Sequence, residues 1–238
     1  MTVVAENLNR IQDRITAACL AAGRRVGSVS LVAVSKRVDP ERVLDACGAG
    51  QWILGENRVP DALARIESFP ALLRDHGLDP ALLKWHFIGT LQQNKVRKVV
   101  GAFELIHGVD SLALARRIDR AAGEAGLRQA VLLQVNASQE TQKHGLALDE
   151  APEAAAQALQ LLHLDIQGFM TMGRVGAGES ELREIYGSLR RLSESVRASS
   201  GAPLPHLSMG MSDDFEVGIA EGATMVRIGT TLFGSREQ

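Results

Sequence analysis

Ser30-Leu31-Val32-Ala33-Val34-Ser35-Lys36 is the stretch that decides the fold. Its apolar residues run without a break, where a half-solvated strand would alternate with polar ones. A continuous run of this length suits a parallel strand covered on both faces. The run stops at Lys36. A strand that ends in this way can hold one primary amine at the mouth of a cavity. Lost hydration disfavours the ammonium form there, and a free amine attacks aldehydes to form a Schiff base. The alternative is a surface lysine marking the strand's end, since lysine is mostly exposed.

Comparable runs recur along the chain. Candidate strands are Val29 to Ser35, Trp52 to Gly55, Trp85 to Gly89, Leu105 to Val109, Val131 to Asn136, Ile166 to Met170, His206 to Met209 and Met225 to Ile228. Helical patterns lie between them. Pro40 to Ala46 follows Asp39, a cap candidate, and has proline at its start. Leu91 to Val100, Ser111 to Ala125, Asp149 to Leu162 and Phe215 to Ala220 also read as helices, and Glu6 to Ala22 precedes the first strand. Ser180 to Ser199 places Leu182, Ile185, Leu189, Leu192 and Val196 on one amphipathic stripe. Strands alternating with helices in this way predict an α/β protein, a (β/α)8 TIM barrel with an extra N-terminal helix. A doubly wound open sheet is the alternative. It usually needs fewer strands, and no Gly-x-Gly-x-x-Gly follows the first strand. No Pro/Gly/Ser-rich linker divides the chain, so one domain over residues 1–238 is expected.

With 238 residues, 45% hydrophobic and 23% charged, the core is large enough to need no disulfides or structural metal. The formal charge of −2 argues against a nucleic-acid footprint driven by net charge. Cys19 and Cys47 form no Cys-x-x-Cys pair and read as packed free thiols. The N-terminus, Met1-Thr2-Val3-Val4-Ala5-Glu6-Asn7, has no basic region and no long apolar core, so no signal peptide is expected. No segment reaches the roughly eighteen apolar residues of a membrane span. A cytoplasmic protein is the resulting expectation.

In such a barrel the site lies at the C-terminal ends of the strands. Lys36 ends the first strand, and Gly55-Glu56-Asn57-Arg58 follow the second. The third contains His86 and runs into Gly89-Thr90, Asp110 follows the fourth, and Asn136 ends the fifth. Ser208 lies in the seventh before Gly210, and Arg227 in the eighth before Gly229-Thr230-Thr231. Turn or cap duty explains each of these alone. Their placement on one rim points to a binding site. The seventh and eighth loops carry small residues just before helix starts. Glycine permits close backbone approach, helix N-termini attract anions, and barrels often bind phosphate at these two loops. Arg227 could add a bidentate contact. The alternative is that Ser212 or Asp213 caps one helix and Thr230 begins another. His86, His107, His144, His163 and His206 show no metal-ligand spacing, so no metal is expected. His86 reads as a hydrogen-bonded core or rim histidine. Lys95, Arg97 and Lys98 read as a solvated helix face.

Six segments are shared, in order, with a known family: Ala33-Val34-Ser35-Lys36, Gly55-Glu56-Asn57, Trp85-His86-Phe87-Ile88-Gly89, Gln134-Val135-Asn136, Leu207-Ser208-Met209-Gly210-Met211-Ser212-Asp213 and Met225-Val226-Arg227-Ile228-Gly229-Thr230. They resemble the pyridoxal phosphate homeostasis proteins, also called the alanine racemase N-terminal-domain-like family. The resemblance implies a barrel that binds pyridoxal 5′-phosphate (PLP), with Lys36 as the Schiff-base lysine. It implies Ser208, Gly229 and Thr230 at the phosphate, with Gly210 in the same cradle. Arg227 would lie near the phosphate or the pyridine ring, and Asn57 and His86 on the pocket side. It further implies a role in vitamin B6 homeostasis, buffering or delivering PLP without robust catalysis and without a catalytic residue. PLP-dependent apoenzymes would be the recipients. A monomer is expected, with a dimer left open, and neither nucleic acid nor membrane as a partner. The chain departs from the family's usual pattern at Arg58 (usually tyrosine), followed by Val59-Pro60, at Thr90 (usually proline) and at Gln93 (usually serine). These departures put the rim near strands two and three in question.

The competing reading is a racemase-like PLP enzyme. The resemblance implies that barrel-type racemases add a second β-domain carrying a catalytic tyrosine. With the sequence running to Gln238, just after the eighth strand, no such second domain is expected. Its one tyrosine, Tyr186, falls in the helix between strands six and seven, expected opposite the rim. A racemase needs a second acid–base group across the substrate Cα; no obvious candidate appears, and the role stays open to His86 or to a residue the sequence does not place. Without a lid the cofactor would be relatively exposed, which favours transfer over controlled carbanion chemistry. A third reading, a PLP-independent scaffold or nucleic-acid-binding barrel, is disfavoured by the balanced charge.

Overall fold

The computed structural model describes residues 2–140 and 144–234. Among them, parallel strands β1 (Ser30–Val34), β2 (Ile53–Glu56), β3 (Lys84–Phe87), β4 (Leu105–Val109), β5 (Gln129–Gln134), β6 (Leu164–Met170), β7 (His206–Ser208) and β8 (Met225–Ile228) form a closed barrel in chain order. The β1–β8 pairing, with Val32 beside Arg227, shuts the ring. The helices are α1 (Val3–Ala21), α2 (Pro40–Gly48), α3 (Val59–Asp75), α4 (Val96–Val99), α5 (Leu112–Glu124), α6 (Ala151–Ala158), α7 (Glu179–Ser200), α8 (Phe215–Ala220) and α9 (Thr230–Phe233).

Two apolar clusters explain the unbroken strand runs. One holds Val32, Leu105, Leu132, Met170 and Met225 and no helix residue, so it fills the barrel interior. The other joins outward strand residues such as Leu54, Phe87, Ile106 and Phe169 to Val43, Leu114, Leu189 and Ile219 of the helices. Alternate strand residues therefore serve two dry faces. Each large side chain buried there contributes roughly 1.5–3 kcal/mol. The extra helix α1 buries Val4, Leu8, Ile11, Ile15 and Cys19 on one stripe and packs against α8 and α9. Cys19 and Cys47 are free and buried, as expected.

The cap expected at Asp39 forms: it accepts from the Glu41 amide at 2.9 Å, and Ser111 likewise accepts from the Leu114 amide at 3.2 Å. Strand limits move by one or two residues, so Asn136 falls past β5, where its amide bonds the Leu146 carbonyl. The helix expected over Leu91 to Val100 shrinks to a 3-10 turn at Gln93–Lys95 followed by the short α4. Helix α3 carries no mark in the sequence reading. Pro60 lies in its first turn and Pro70 in its interior, and both look like breakers. Interior proline costs roughly 3 kcal/mol; burial of Ala62, Phe69 and Leu73 offsets it.

Candidate functional site

The interior cluster marks the inward-facing positions of the strands it draws on, and buried polar residues lie above it. On β3, β4, β7 and β8 they are His86, His107, Ser208 and Arg227. All four are 5% exposed or less. They form one hydrogen-bonded line across the barrel. His86 Nδ1 lies 3.0 Å from His107 Nε2, and His107 Nδ1 lies 2.9 Å from Ser208 Oγ. Arg227 donates through Nη1 to Ser208 Oγ and through Nη2, at 2.9 Å, to the Thr171 carbonyl. The bland reading of His86, a hydrogen-bonded core histidine, is what the structure shows.

Burial dominates the electrostatics of this line. It pushes the His86 ring down to about 3 and the His107 ring well below its ordinary value, and Arg227 is lowered for the same reason. Both histidines are therefore neutral near pH 7, whereas a guanidinium keeps its proton. Arg227 is thus a buried cation whose bonded partners are two neutral oxygens. Such a charge is stable only with compensation. Asp214 and Tyr186 act on it at longer range.

Lys36 stands half-buried in the turn after β1, on the same rim. The turn is strapped from below. Ser35 Oγ donates to Glu56 Oε1 at 2.7 Å, and Arg65 reaches the same carboxylate at 3.6 Å while donating to the Val38 carbonyl at 2.7 Å. Burial raises the Glu56 carboxyl, against the opposing effects of the Ser35 hydroxyl, Arg65 and Lys36. Asn57, just past β2, is half-buried, and its Oδ1 is a buried acceptor without a hydrogen-bond partner among the described residues. Arg58, Pro60 and Thr90, three of the departing residues, line one groove of about 400 Å³ with Asn57, Gln92 and Lys95.

Of the remaining expected residues, Gly210 turns at φ +92°, where a Cβ would come 2.8 Å from Phe215 Cα. A Cβ on Gly229 would come 3.2 Å from Val34 Cβ. The chain's own packing thus requires glycine at Gly210 and leaves little room for a side chain at Gly229. Thr230 does open a helix, α9, with Gly229 at its N-cap. Its first amides have no intrahelical acceptor and face the rim's end of the barrel. Ser212 and Asp213 are not the residues that cap α8; Asp214 occupies that position. Its Oδ1 accepts from the Met211 amide, and its Oδ2 accepts from Tyr186 Oη at 2.8 Å. Tyr186 is therefore not opposite the rim. It sits two turns into α7, near the C-terminal strand ends, and holds the seventh loop through Asp214. Arg65 and Thr171 carry no sequence signal as site-building groups, being far from Lys36 and Ser208 in the chain; Asp214 lies in the seventh loop, but its bond to Tyr186, across 28 positions, has no local mark.

A primary amine, a buried acceptor, the start of α9 and a buried cation bonded to two neutral oxygens on one rim fit an anionic ligand bearing an aldehyde. Among the described residues, no group of three or more His, Cys, Asp or Glu could hold a metal ion.

Comparison with known proteins agrees with this geometry. Residues 6–237 match the family described as alanine racemase, N-terminal domain. The pyridoxal phosphate homeostasis protein of Aquifex aeolicus is 40% identical over 232 residues, 98% of each chain. PipY of Synechococcus elongatus PCC7942, solved with PLP bound, superposes with a TM-score of 0.80 at 36% identity, over 97% of this chain and 100% of that one. An alanine racemase of Clostridium difficile 630 superposes with a TM-score of 0.71 at 14% identity, over 99% of this chain and 57% of that one, a likeness of fold alone. The chain belongs to the pyridoxal phosphate homeostasis protein family, built on the alanine racemase N-terminal barrel.

Proposed function

We propose that this chain holds PLP on Lys36 and serves vitamin B6 homeostasis by buffering the cofactor or delivering it to PLP-dependent apoenzymes. The observation that carries the reading is Arg227, a buried guanidinium that among the described residues is bonded to two neutral oxygens, beneath the rim on which Lys36 stands. A phosphate monoester would compensate that charge. When bound, PLP supplies an aldehyde that condenses with a primary amine. Lys36 supplies the amine. The amides at the start of α9, Gly229 and Thr230, and the turn at Gly210 would receive the phosphate, with Ser208 and Arg227 as its floor. Asn57 Oδ1 would accept from a donor on the ring side, and His86 would brace the floor.

The reading favours a carrier over a racemase-like enzyme. The Tyr186 hydroxyl is committed to Asp214, and burial raises its pKa further, so it offers no ready acid–base group. His86 is likewise turned to His107. One barrel spanning residues 1–238 acts as the working unit, in the cytoplasm, as a monomer. No helix among the described residues is long and apolar enough to cross a membrane. The test is the visible absorption of the purified protein mixed with PLP, followed by incubation with L- and D-amino acids. A band of lysine-bound PLP with negligible exchange at Cα is expected. Absence of the band refutes PLP binding, and exchange at ordinary enzyme rates refutes the carrier.

A further inference from the structure

The hydrogen-bond line has a direction that its atoms determine. Arg227 can only donate, so Ser208 Oγ accepts from it. The Ser208 hydroxyl then has one proton to give. Each neutral imidazole carries one N–H. Two arrangements remain. In the first, Ser208 donates to His107 Nδ1, His107 Nε2–H donates to His86 Nδ1, and His86 carries its proton on Nε2. In the second every link between these three residues is reversed, and the Ser208 proton must find another acceptor. Ser208 is fully buried, and the described residues give its hydroxyl only Arg227 and His107 as partners. The second arrangement would strand a buried donor, which structures avoid. The tautomers of two histidines and the orientation of one hydroxyl are thus locked together.

We propose that His107, backed by His86, is a positioning residue for Arg227: the pair, both in the Nε2–H form, fixes the Ser208 hydroxyl so that its lone pair holds the guanidinium beneath the anion seat. The two remaining supports of this arrangement lie just past the ends of β6 and β5. Arg227 is pinned on its far side by the Thr171 carbonyl, and Thr171 is itself tied to the Val135 carbonyl at 2.8 Å. Six strand ends, those of β3 to β8, are thereby tied to one cation. A protonated His107 would place a second cation against it, and burial keeps that state out of reach. The role of the seat in binding PLP rests on the reading above; the direction of the line does not.

Long-range proton–nitrogen NMR of the histidine-labelled, PLP-free protein tests the direction. Both His86 and His107 should show protonated Nε2 and bare Nδ1. An Nδ1–H form or a cation at either residue of the PLP-free protein overturns the proposal. His107→Leu and His107→Gln test the positioning. Leucine keeps the bulk and removes the line; glutamine restores one donor and one acceptor. With folding checked by circular dichroism, His107→Leu should hold PLP roughly fivefold more weakly. His107→Gln should recover most of that loss. Wild-type affinity in a folded His107→Leu protein overturns the role. If His107→Leu fails to fold, loss of affinity in His107→Gln equal to that of Ser208→Ala overturns it instead. Failure of the wild type to bind PLP refutes the cofactor reading alone, since the tautomers are read without it.

Discussion

Replacing His86 with glutamine should flatten the acid sensitivity of this barrel. Burial lowers the His86 ring from an ordinary 6.5 to about 3. The unfolded chain therefore binds a proton that the folded chain refuses between those two values. The contribution to stability is complete above about pH 6.5 and drains away as pH falls toward 3. Each pH unit inside the window costs up to about 1.4 kcal/mol per histidine, so His86 alone removes about 2 kcal/mol between pH 7 and pH 5. His107, shifted in the same direction by burial, adds to the loss. Urea unfolding followed by circular dichroism at the two pH values gives the difference. With a urea dependence of about 2 kcal/mol per molar, the His86 share is a midpoint shift of roughly 1 M. The constant cost of the substitution cancels, because each protein is compared with itself. Should His86→Gln lose as much stability from pH 7 to pH 5 as the wild type does, His86 is not a neutral buried group and the electrostatic account of the polar layer fails.

Tyr186→Phe deletes a buried bond to a carboxylate that also receives the Met211 amide. It should lower stability by about 1.5–3 kcal/mol and speed PLP release, measured by thermal unfolding and by transfer to an apoenzyme acceptor. An unchanged release rate would detach Tyr186 from the seventh loop's role. Gly210→Ala meets both a left-handed backbone and Phe215 Cα at 2.8 Å. A melting temperature at least several degrees lower is expected; an unaltered melt would show that the loop can relax.

The fold was readable because its main signal is local. Unbroken apolar runs such as Leu31–Val34 need two dry faces, and their regular recurrence leaves few architectures. The lysine at the end of the first run and the glycine-containing turns at Gly210 and Gly229 were readable for the same reason. Helix α3 was not, because Pro60 and Pro70 obey local rules that burial of Phe69 and Leu73 overrides. The polar layer was also out of reach. His107 meets Ser208 across 101 positions of sequence, and Tyr186 meets Asp214 across 28. Nothing near either residue announces its partner; only closure of the ring brings them together.

The central claim, that Lys36 holds the cofactor, is tested most directly by trapping. The protein is mixed with PLP, reduced with borohydride and digested, and the modified peptide is found by mass spectrometry. The account predicts a reduced PLP adduct on Lys36, and no such adduct in that peptide from Lys36→Ala. An adduct on a different lysine of the wild type, with Lys36 unmodified, would contradict it.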